Sequence, residues 1–78
     1  MATRKTFGPC LSNRAAYRTS GQLWRADDGT EIDGPLLAMR AFHYGWISPR
    51  SIIMIRWFLA TKVGDVLKTG VSAYERIR

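Results

Sequence analysis

The sequence predicts a mainly α-helical protein built around one small domain. Two helix-start signals precede apolar residues at helical spacing, and a long C-terminal run of apolar residues recurs at steps of three and four. The first part of the chain shows no such periodicity. The predicted elements are an extended basic N-terminal arm (1–22), a small hairpin (22–33), a short helix (35–44) and a long amphipathic helix (49–76). The domain division that follows is the arm, 1–22, and a single small helical domain, 23–78.

The arm is basic and lacks periodic structure. Gly8-Pro9 is a turn signal, and no apolar residues recur at a helical or strand spacing. Residues 1–26 hold five Arg and Lys and no Asp or Glu. We therefore expect an extended segment, with a turn of helix around 13–18 as the local alternative.

The hairpin prediction depends on one dipeptide. Asp28-Gly29 can supply the positive φ of a tight turn, and apolar residues precede and follow it. The alternative is an acidic loop, because residues 27–33 hold four carboxylates and no base.

Helix-start signals occur twice in the second half of the chain. Asp33 can cap the free amides of a first helix, Pro35 suits its first turn, and Gly45 is a typical left-handed stop. Ser48-Pro49 repeats the same arrangement, with Ser as the cap and Pro as the first helical residue. The sequence therefore predicts two consecutive helices.

The second of these helices carries the strongest pattern in the sequence. One stripe recurs at steps of three and four through Ile52, Ile55, Leu59, Val63, Val66, Gly70, Ala73 and Ile77. If Pro49–Arg78 formed one helix, it would be about 45 Å long. The rest of the chain is too short to cover such a helix, so either a partner covers it, or Gly64 and Gly70 break it and the chain folds back. We favour the partner.

The composition limits how so short a chain can be stabilised. Its 78 residues bury only roughly 60% of the unfolded surface. Cys10 is the only cysteine and His43 the only histidine, so an intrachain disulfide is excluded and a tetrahedral zinc site is incomplete. The formal net charge of +6 attracts nucleic-acid phosphates, anionic lipid or acidic protein surfaces.

Catalysis is not predicted. A lone His43 gives no choice of base for a nucleophile, and Cys10 lies in the unpatterned arm. The carboxylates of 27–33 lack the spacing of a calcium loop. We therefore expect a protein that is not an enzyme and has no cofactor and no metal.

The favoured functional hypothesis is a non-catalytic accessory subunit that docks into a larger, membrane-associated protein complex. The acid-poor, Arg-bearing start has the composition of a mitochondrial transit sequence, so an intracellular location at the periphery of the mitochondrial inner membrane, in a respiratory-chain or ATP synthase complex, is the first expectation. Charges interrupt residues 45–67, so we expect an interfacial helix rather than a bilayer span. The predicted partner-binding residues are Ile52, Ile55, Trp57, Leu59 and Val63. The predicted contacts to phosphate or an anionic lipid headgroup are Arg50, Arg56 and Lys62.

The alternative hypothesis is a small basic nucleic-acid-associated protein of ribosomal, viral or regulatory origin. Basic residues alternate with aromatic residues, and two helices joined by 45–48 suggest a helix-turn-helix. The apolar run 52–55 argues against it, because those side chains favour burial. The two hypotheses differ in where the basic residues lie. Nucleic-acid binding needs them clustered on one exposed face, whereas a subunit would scatter them among separate contacts.

Overall fold

Residues 13–78, the part of the chain that the computed structural model describes, form a four-stranded antiparallel sheet and three helices. The second and third helices pack on one face of the sheet, and the first helix packs against those two helices. The elements are α1 (Asn13–Thr19), β1 (Leu23–Ala26), β2 (Glu31–Asp33), α2 (Gly34–Tyr44), α3 (Ser51–Ala60), β3 (Val66–Lys68) and β4 (Ala73–Arg76). The strand order is β2-β1-β4-β3, so the two hairpins meet where β1 pairs with β4.

The register of the sheet separates an apolar face from a charged one. Trp24 lies opposite Ile32 on β2, and Leu67 lies opposite Tyr74, so these residues share the face that the helices cover. Their neighbours along each strand point away from the helices. There Arg25 and Glu31 form an exposed ion pair at 4.0 Å. This outer face carries mixed charge and is solvated.

Trp24 is the centre of the core. Its ring packs edge-on against Phe58, with centroids 5.5 Å apart, and stacks on Trp57 at 6.1 Å. Its indole N–H donates to Oε1 of the buried Gln22 at 2.9 Å, and Nε2 of Gln22 donates to the carbonyl of Phe58 at 2.9 Å. The core cluster comprises Trp24, Ile32, Leu37, Ala38, Ala41, Met54, Phe58 and Leu67.

Two of the predicted elements are present. The 22–33 hairpin forms as β1 and β2, and Gly29 adopts the positive φ of +90° that its turn needs. The short helix is α2, which begins at Gly34, one residue before the predicted start. Asp33 Oδ1 accepts from the Leu36 N–H at 2.8 Å, and Gly45 ends the helix in the left-handed region.

The predicted mainly α fold and the long helix over 49–76 are wrong. The second helix is α3, which ends at Ala60. Thr61 is extended, and the Thr61 hydroxyl donates to the Phe58 carbonyl at 2.7 Å. Gly64 then turns the chain at φ +100°, and Asp65 Oδ2 accepts from the Lys62 N–H at 2.9 Å. The turn redirects the remaining residues into the sheet.

The second half of the apolar stripe forms the β3–β4 hairpin. Leu67 is buried, while its neighbours Val66 and Lys68 are exposed, as in a strand with one covered face. The apolar residues that recur at steps of three and four along 61–78 therefore belong to strands and turns and do not form one face of a helix. Of the two alternatives that the sequence left open, the chain folds back on itself, but the helix ends at Ala60, before either Gly64 or Gly70.

The start of α3 also differs from the prediction. The helix begins at Ser51, and its N-cap, Arg50, makes no side-chain capping bond. Ser48 Oγ accepts from the Arg50 N–H at 3.1 Å instead, so Ser48-Pro49 forms part of the connection and not of the helix.

An extended arm is wrong for residues 13–22, where the local alternative, a turn of helix around 13–18, is confirmed as α1. Residues 1–12 lie outside the described part of the chain. α1 contacts both α2 and α3. Thr19 is buried, and its hydroxyl donates to the Ala15 carbonyl at 3.0 Å. The Gly34 N–H donates to the Gln22 carbonyl at 2.9 Å, which fixes the end of α1 against the start of α2.

Gly34 gives the first testable prediction, because α1 approaches it closely. A Cβ at Gly34 would collide with the Thr19 carbonyl oxygen and lie 2.8 Å from Gln22 Cβ. We expect Gly34→Ala to lower the free energy of unfolding by about 1–3 kcal/mol. Gly21→Ala is the control, since a Cβ there meets nothing within 4 Å. Thermal unfolding followed by circular dichroism measures both, and equal melting temperatures would contradict this packing of α1.

Candidate functional site

α2, the six-residue connection 45–50 and α3 follow one another in the order helix, turn, helix, a segment called here the helix-turn-helix, and both helices pack on the same face of the sheet. The connection is ordered by backbone bonds, since the Trp46 N–H donates to Ala41 at 3.0 Å and the Met54 N–H to Arg50 at 3.1 Å. The rings of Tyr44 and Trp46 stack at 5.4 Å, and Trp46 stacks in turn on Tyr74 of β4 at 6.0 Å. These stacked rings hold the connection against the sheet.

The first turn of α3 has one buried side and one exposed side. Met54 and Phe58 are its buried residues, one helical turn apart. The opposite side carries Ile52, Ile53 and Arg56, with Ile52 59% and Ile53 43% exposed. The residues just before this face, Arg50 and Ser51, are exposed as well. Four consecutive residues, 50–53, are therefore open to a ligand.

The acids of the protein are confined to the sheet and its turns, whereas the basic residues occur in both the sheet and the helices. None of the three helices in residues 13–78 contains an Asp or Glu. The six acids of the chain all lie in the sheet or its turns, at Asp27, Asp28, Glu31, Asp33, Asp65 and Glu75. The helices and the connection between them carry Arg14, Arg18, Arg40, Arg50 and Arg56, all exposed. The helices and their connection, called here the helical layer, therefore contain charged residues of positive sign only, although Arg40 lies beside the acids of the β1–β2 turn.

α1 contributes an aromatic side chain to the helical layer. Arg14, Tyr17 and Arg18 share its exposed side, opposite the buried Ala15 and Thr19. The sequence predicted an extended segment here, with a turn of helix around 13–18 as the alternative, and it identified no exposed helical face. The spacing of 14, 17 and 18 was the available signal, but a helix of seven residues is too short for periodicity to identify it.

The β3–β4 hairpin follows the helix-turn-helix and ends in an exposed loop. Val71 at its tip is 91% exposed, and Lys68 at its base is exposed too. Thr69 orders the loop, because its backbone N–H donates to the Ser72 carbonyl at 2.8 Å and its Oγ1 accepts from the Ser72 N–H at 3.0 Å. The loop of this hairpin is thus ordered by its own hydrogen bonds and exposes an apolar residue at its tip.

The structure divides the predicted partner-binding residues into two groups. Ile52 and Val63 are exposed and accessible to a partner. Ile55 and Trp57 pack against the protein's own core, and Leu59 is half-buried. The apolar character of the second group is thus largely explained by intramolecular packing. The apolar run 52–55 was expected to favour burial throughout, but Ile53 belongs to the exposed side of α3.

The three predicted phosphate- or headgroup-contacting residues, Arg50, Arg56 and Lys62, are all exposed. The one ion pair among residues 13–78 joins Arg25 to Glu31 on the sheet, so Arg56 is not neutralised by an acid of the described chain. The Arg56 guanidinium is therefore available to an external anion.

A cavity of about 220 Å³ lies between the β1–β2 turn, α2 and β4. Asp27, Asp28 and Glu31 line it together with Arg40 and Tyr74. Asp28 Oδ1 accepts from the Thr30 N–H at 2.9 Å, and this bond lowers the pKa of the Asp28 carboxyl. Asp27 Oδ2 accepts from the Ala73 N–H at 3.3 Å. Two of the three carboxylates thus hold the turns of the two hairpins in place.

His43 and Cys10 are two further candidate groups from the sequence. His43 is exposed and its ring contacts Tyr44 edge-on at 4.9 Å. Within residues 13–78 no three His, Cys, Asp or Glu side chains are grouped so that they could hold a metal ion. Cys10 lies outside the described residues. The chemistry of the exposed surface is that of charge and apolar contact.

No protein-family model, curated protein or solved structure matches this chain. None of the helices in the described part of the chain combines the length and apolar character needed to cross a membrane.

The orientation of α3 can be tested by substituting two nearby residues. Met54→Ala removes a fully buried side chain and should lower the free energy of unfolding by about 2–5 kcal/mol. Ile52→Ala removes a similar volume from an exposed position and should change it by no more than about 0.5 kcal/mol. Urea denaturation of the two variants measures the difference. A larger loss for Ile52→Ala would mean that α3 is rotated from the orientation described.

Proposed function

We propose that this protein binds double-stranded DNA through its helix-turn-helix, with α3 in the major groove. The observation that carries the proposal is the confinement of the acids to the sheet and its turns, which leaves the helical layer with exposed arginines and no acid. The sequence left open whether the basic residues cluster or scatter. Five of the ten Arg and Lys of residues 13–78 lie in the helices and their connection and five lie in or beside the sheet, so it is the absence of acids from the helices that favours a polyanion there. A DNA duplex is the polyanion whose major groove admits an α-helix.

The exposed side of α3 suits this role in shape as well as charge. An α-helix is about 10–12 Å across with its side chains, and the major groove is about 12 Å wide. In helix-turn-helix proteins the N-terminal residues of the second helix contact base edges. Residues 50–53 of this chain are exposed in succession at that position. The first turn of α3 can therefore enter a groove without unfolding any of the core.

The apolar run 52–55, which argued against nucleic acid in the sequence, no longer does so. Met54 is fully buried and Ile55 packs against the core. Only Ile52 and Ile53 remain on the surface, where they flank Arg56. Met54 and Ile55 thus pack inside the protein, whereas Ile52 and Ile53 are accessible to a ligand.

An accessory subunit is the second candidate, and those two isoleucines are the observation that favours it. Adjacent exposed apolar side chains on one helix face are suited to a protein partner. The stronger argument for a subunit was the long uncovered helix over 49–76, and that helix is replaced by α3 and the β3–β4 hairpin. The subunit hypothesis therefore rests on a much smaller apolar surface than the sequence suggested.

Arg56 and Arg25 form a matched pair for testing DNA binding. Both are exposed arginines, but Arg56 lies on α3 and Arg25 on the open face of the sheet. Fluorescence anisotropy with a random-sequence duplex should give a dissociation constant on the order of 10⁻⁴–10⁻⁶ M at physiological salt. On this random-sequence duplex, which lacks a matched base for Arg56, the guanidinium contacts phosphate, so Arg56→Ala should weaken binding and reduce the slope of log K against log salt by about 0.9. Arg25→Ala should leave the dissociation constant and the salt slope unchanged within error.

Three outcomes are informative. Equal losses for the two variants would show that the net charge matters and the helical layer does not. Unchanged binding by Arg56→Ala would remove α3 from the interface. The absence of any salt-dependent binding to duplex would refute the proposed function.

The second candidate has its own measurement. The protein is produced in cells of its source organism, where its natural partners are present. A native extract of those cells is treated with nuclease and separated by gel filtration. An accessory subunit should elute with a large complex that survives nuclease, and Ile52→Ser with Ile53→Ser should shift the chain to the monomer position. A DNA-binding protein should lose its high-mass fraction after nuclease treatment, and that result would exclude the subunit hypothesis.

A further inference from the structure

We infer that α3 reads thymine methyl groups through Ile52 and Ile53, next to a guanine contacted by Arg56. The inference rests on the proposed function and specifies its ligand, a B-form DNA duplex with A·T pairs adjacent to a G·C pair. It commits α3 to direct recognition of bases, beyond binding to the phosphate backbone.

The first step is the position of the two isoleucines. They are the exposed apolar residues of α3, at 59% and 43%, and they lie in its first turn. Side chains of a helix tilt toward its N-terminus, so both cover the end of α3 that enters the groove. Arg56 follows Ile52 by one helical turn and shares its exposed side. Its long side chain, tilted the same way, reaches over that first turn.

The second step is the chemistry of the groove. An isoleucine side chain neither donates nor accepts a hydrogen bond, so it cannot satisfy the polar edges of guanine, cytosine or adenine. The C5-methyl of thymine is the one apolar group that base pairs present in the major groove. Placing Ile52 and Ile53 against any other base edge would desolvate polar atoms without replacing their hydrogen bonds. Thymine is therefore the base that these side chains select.

The third step is the partner of Arg56. Its planar guanidinium has no acid near it in the described chain, since the ion pair there belongs to Arg25. An arginine in the major groove pairs with O6 and N7 of guanine through two hydrogen bonds. The one-turn separation from Ile52 places this guanine within a few base pairs of the thymines.

The same chemistry excludes an RNA duplex. The major groove of A-form RNA is too deep and narrow for side chains to read, and uracil lacks the methyl group. The preference for DNA over RNA is thus a consequence of the two isoleucines, as well as of groove width.

The test separates this inference from the proposed function. Selection of bound duplexes from a random pool with the full chain should enrich sites with adjacent thymine and guanine. In the best selected duplex, replacing thymine by deoxyuridine removes one methyl group and keeps every base pair. Wild-type binding should weaken about fourfold for each contacted methyl, the loss that corresponds to one methyl-sized apolar group. Ile52→Ala with Ile53→Ala should be insensitive to the replacement, with an unchanged melting temperature as the folding control.

Each result is decisive. If wild type binds the deoxyuridine duplex as tightly as the thymine one, or binds an RNA duplex equally well, methyl recognition is overturned. The proposed function survives that result, provided that Arg56→Ala still lowers the affinity and the salt slope. If no duplex is bound in a salt-dependent way, both fall together. If replacing guanine by 7-deazaguanine has no effect on wild type, Arg56 contacts phosphate and its base assignment is overturned.

Discussion

Burial of the Trp24 indole depends on a hydrogen bond to Gln22, and three parts of the fold meet there. Gln22 accepts the indole N–H with its oxygen and donates from its nitrogen to the Phe58 carbonyl near the end of α3. An unsatisfied buried polar group costs about 1–3 kcal/mol. Removing the Gln22 side chain would take away this hydrogen-bond partner of both the Trp24 indole N–H and the Phe58 carbonyl. The bridge fixes α3 against β1 with Met54 and Phe58 inward, and the orientation of Ile52 and Arg56 is a consequence of it.

The C-terminal end of α3 shows why the chain covers itself. Thr61 bonds back to Phe58, and the Arg76 guanidinium donates to both the carbonyl and the hydroxyl of Thr61. Arg76 belongs to β4, so the last strand holds the point at which the helix stops. The hairpin that begins after Gly64 then supplies two of the four strands beneath the helices. A partner is no longer needed to cover the inner side of α3, and only its outer side remains for binding.

Confinement of the acids to the sheet and its turns connects this architecture to function. The acids serve local structure in the sheet layer: Asp33 caps α2, Asp28 orders the first turn and Asp65 orders the turn before β3. Acids placed in this way leave the helices without negative charge. The stability of the turns and the electropositive character of the helical layer therefore share one cause, and that layer contains the helix-turn-helix.

The sequence by itself determined the elements whose signals are local. Asp28-Gly29 fixed the first hairpin, Asp33 and Gly45 fixed α2, and Arg50 and Arg56 were identified as anion-contacting candidates, because caps, turns and charges act within a few residues. The end of α3 and the direction in which its side chains point were decided only by tertiary structure. Residues 61–78 carry apolar spacing that a helix could use, but pairing of β4 with β1, in which Arg76 lies opposite Trp24, satisfies their backbone groups in a sheet. That pairing joins residues about fifty positions apart, and no local pattern encodes it.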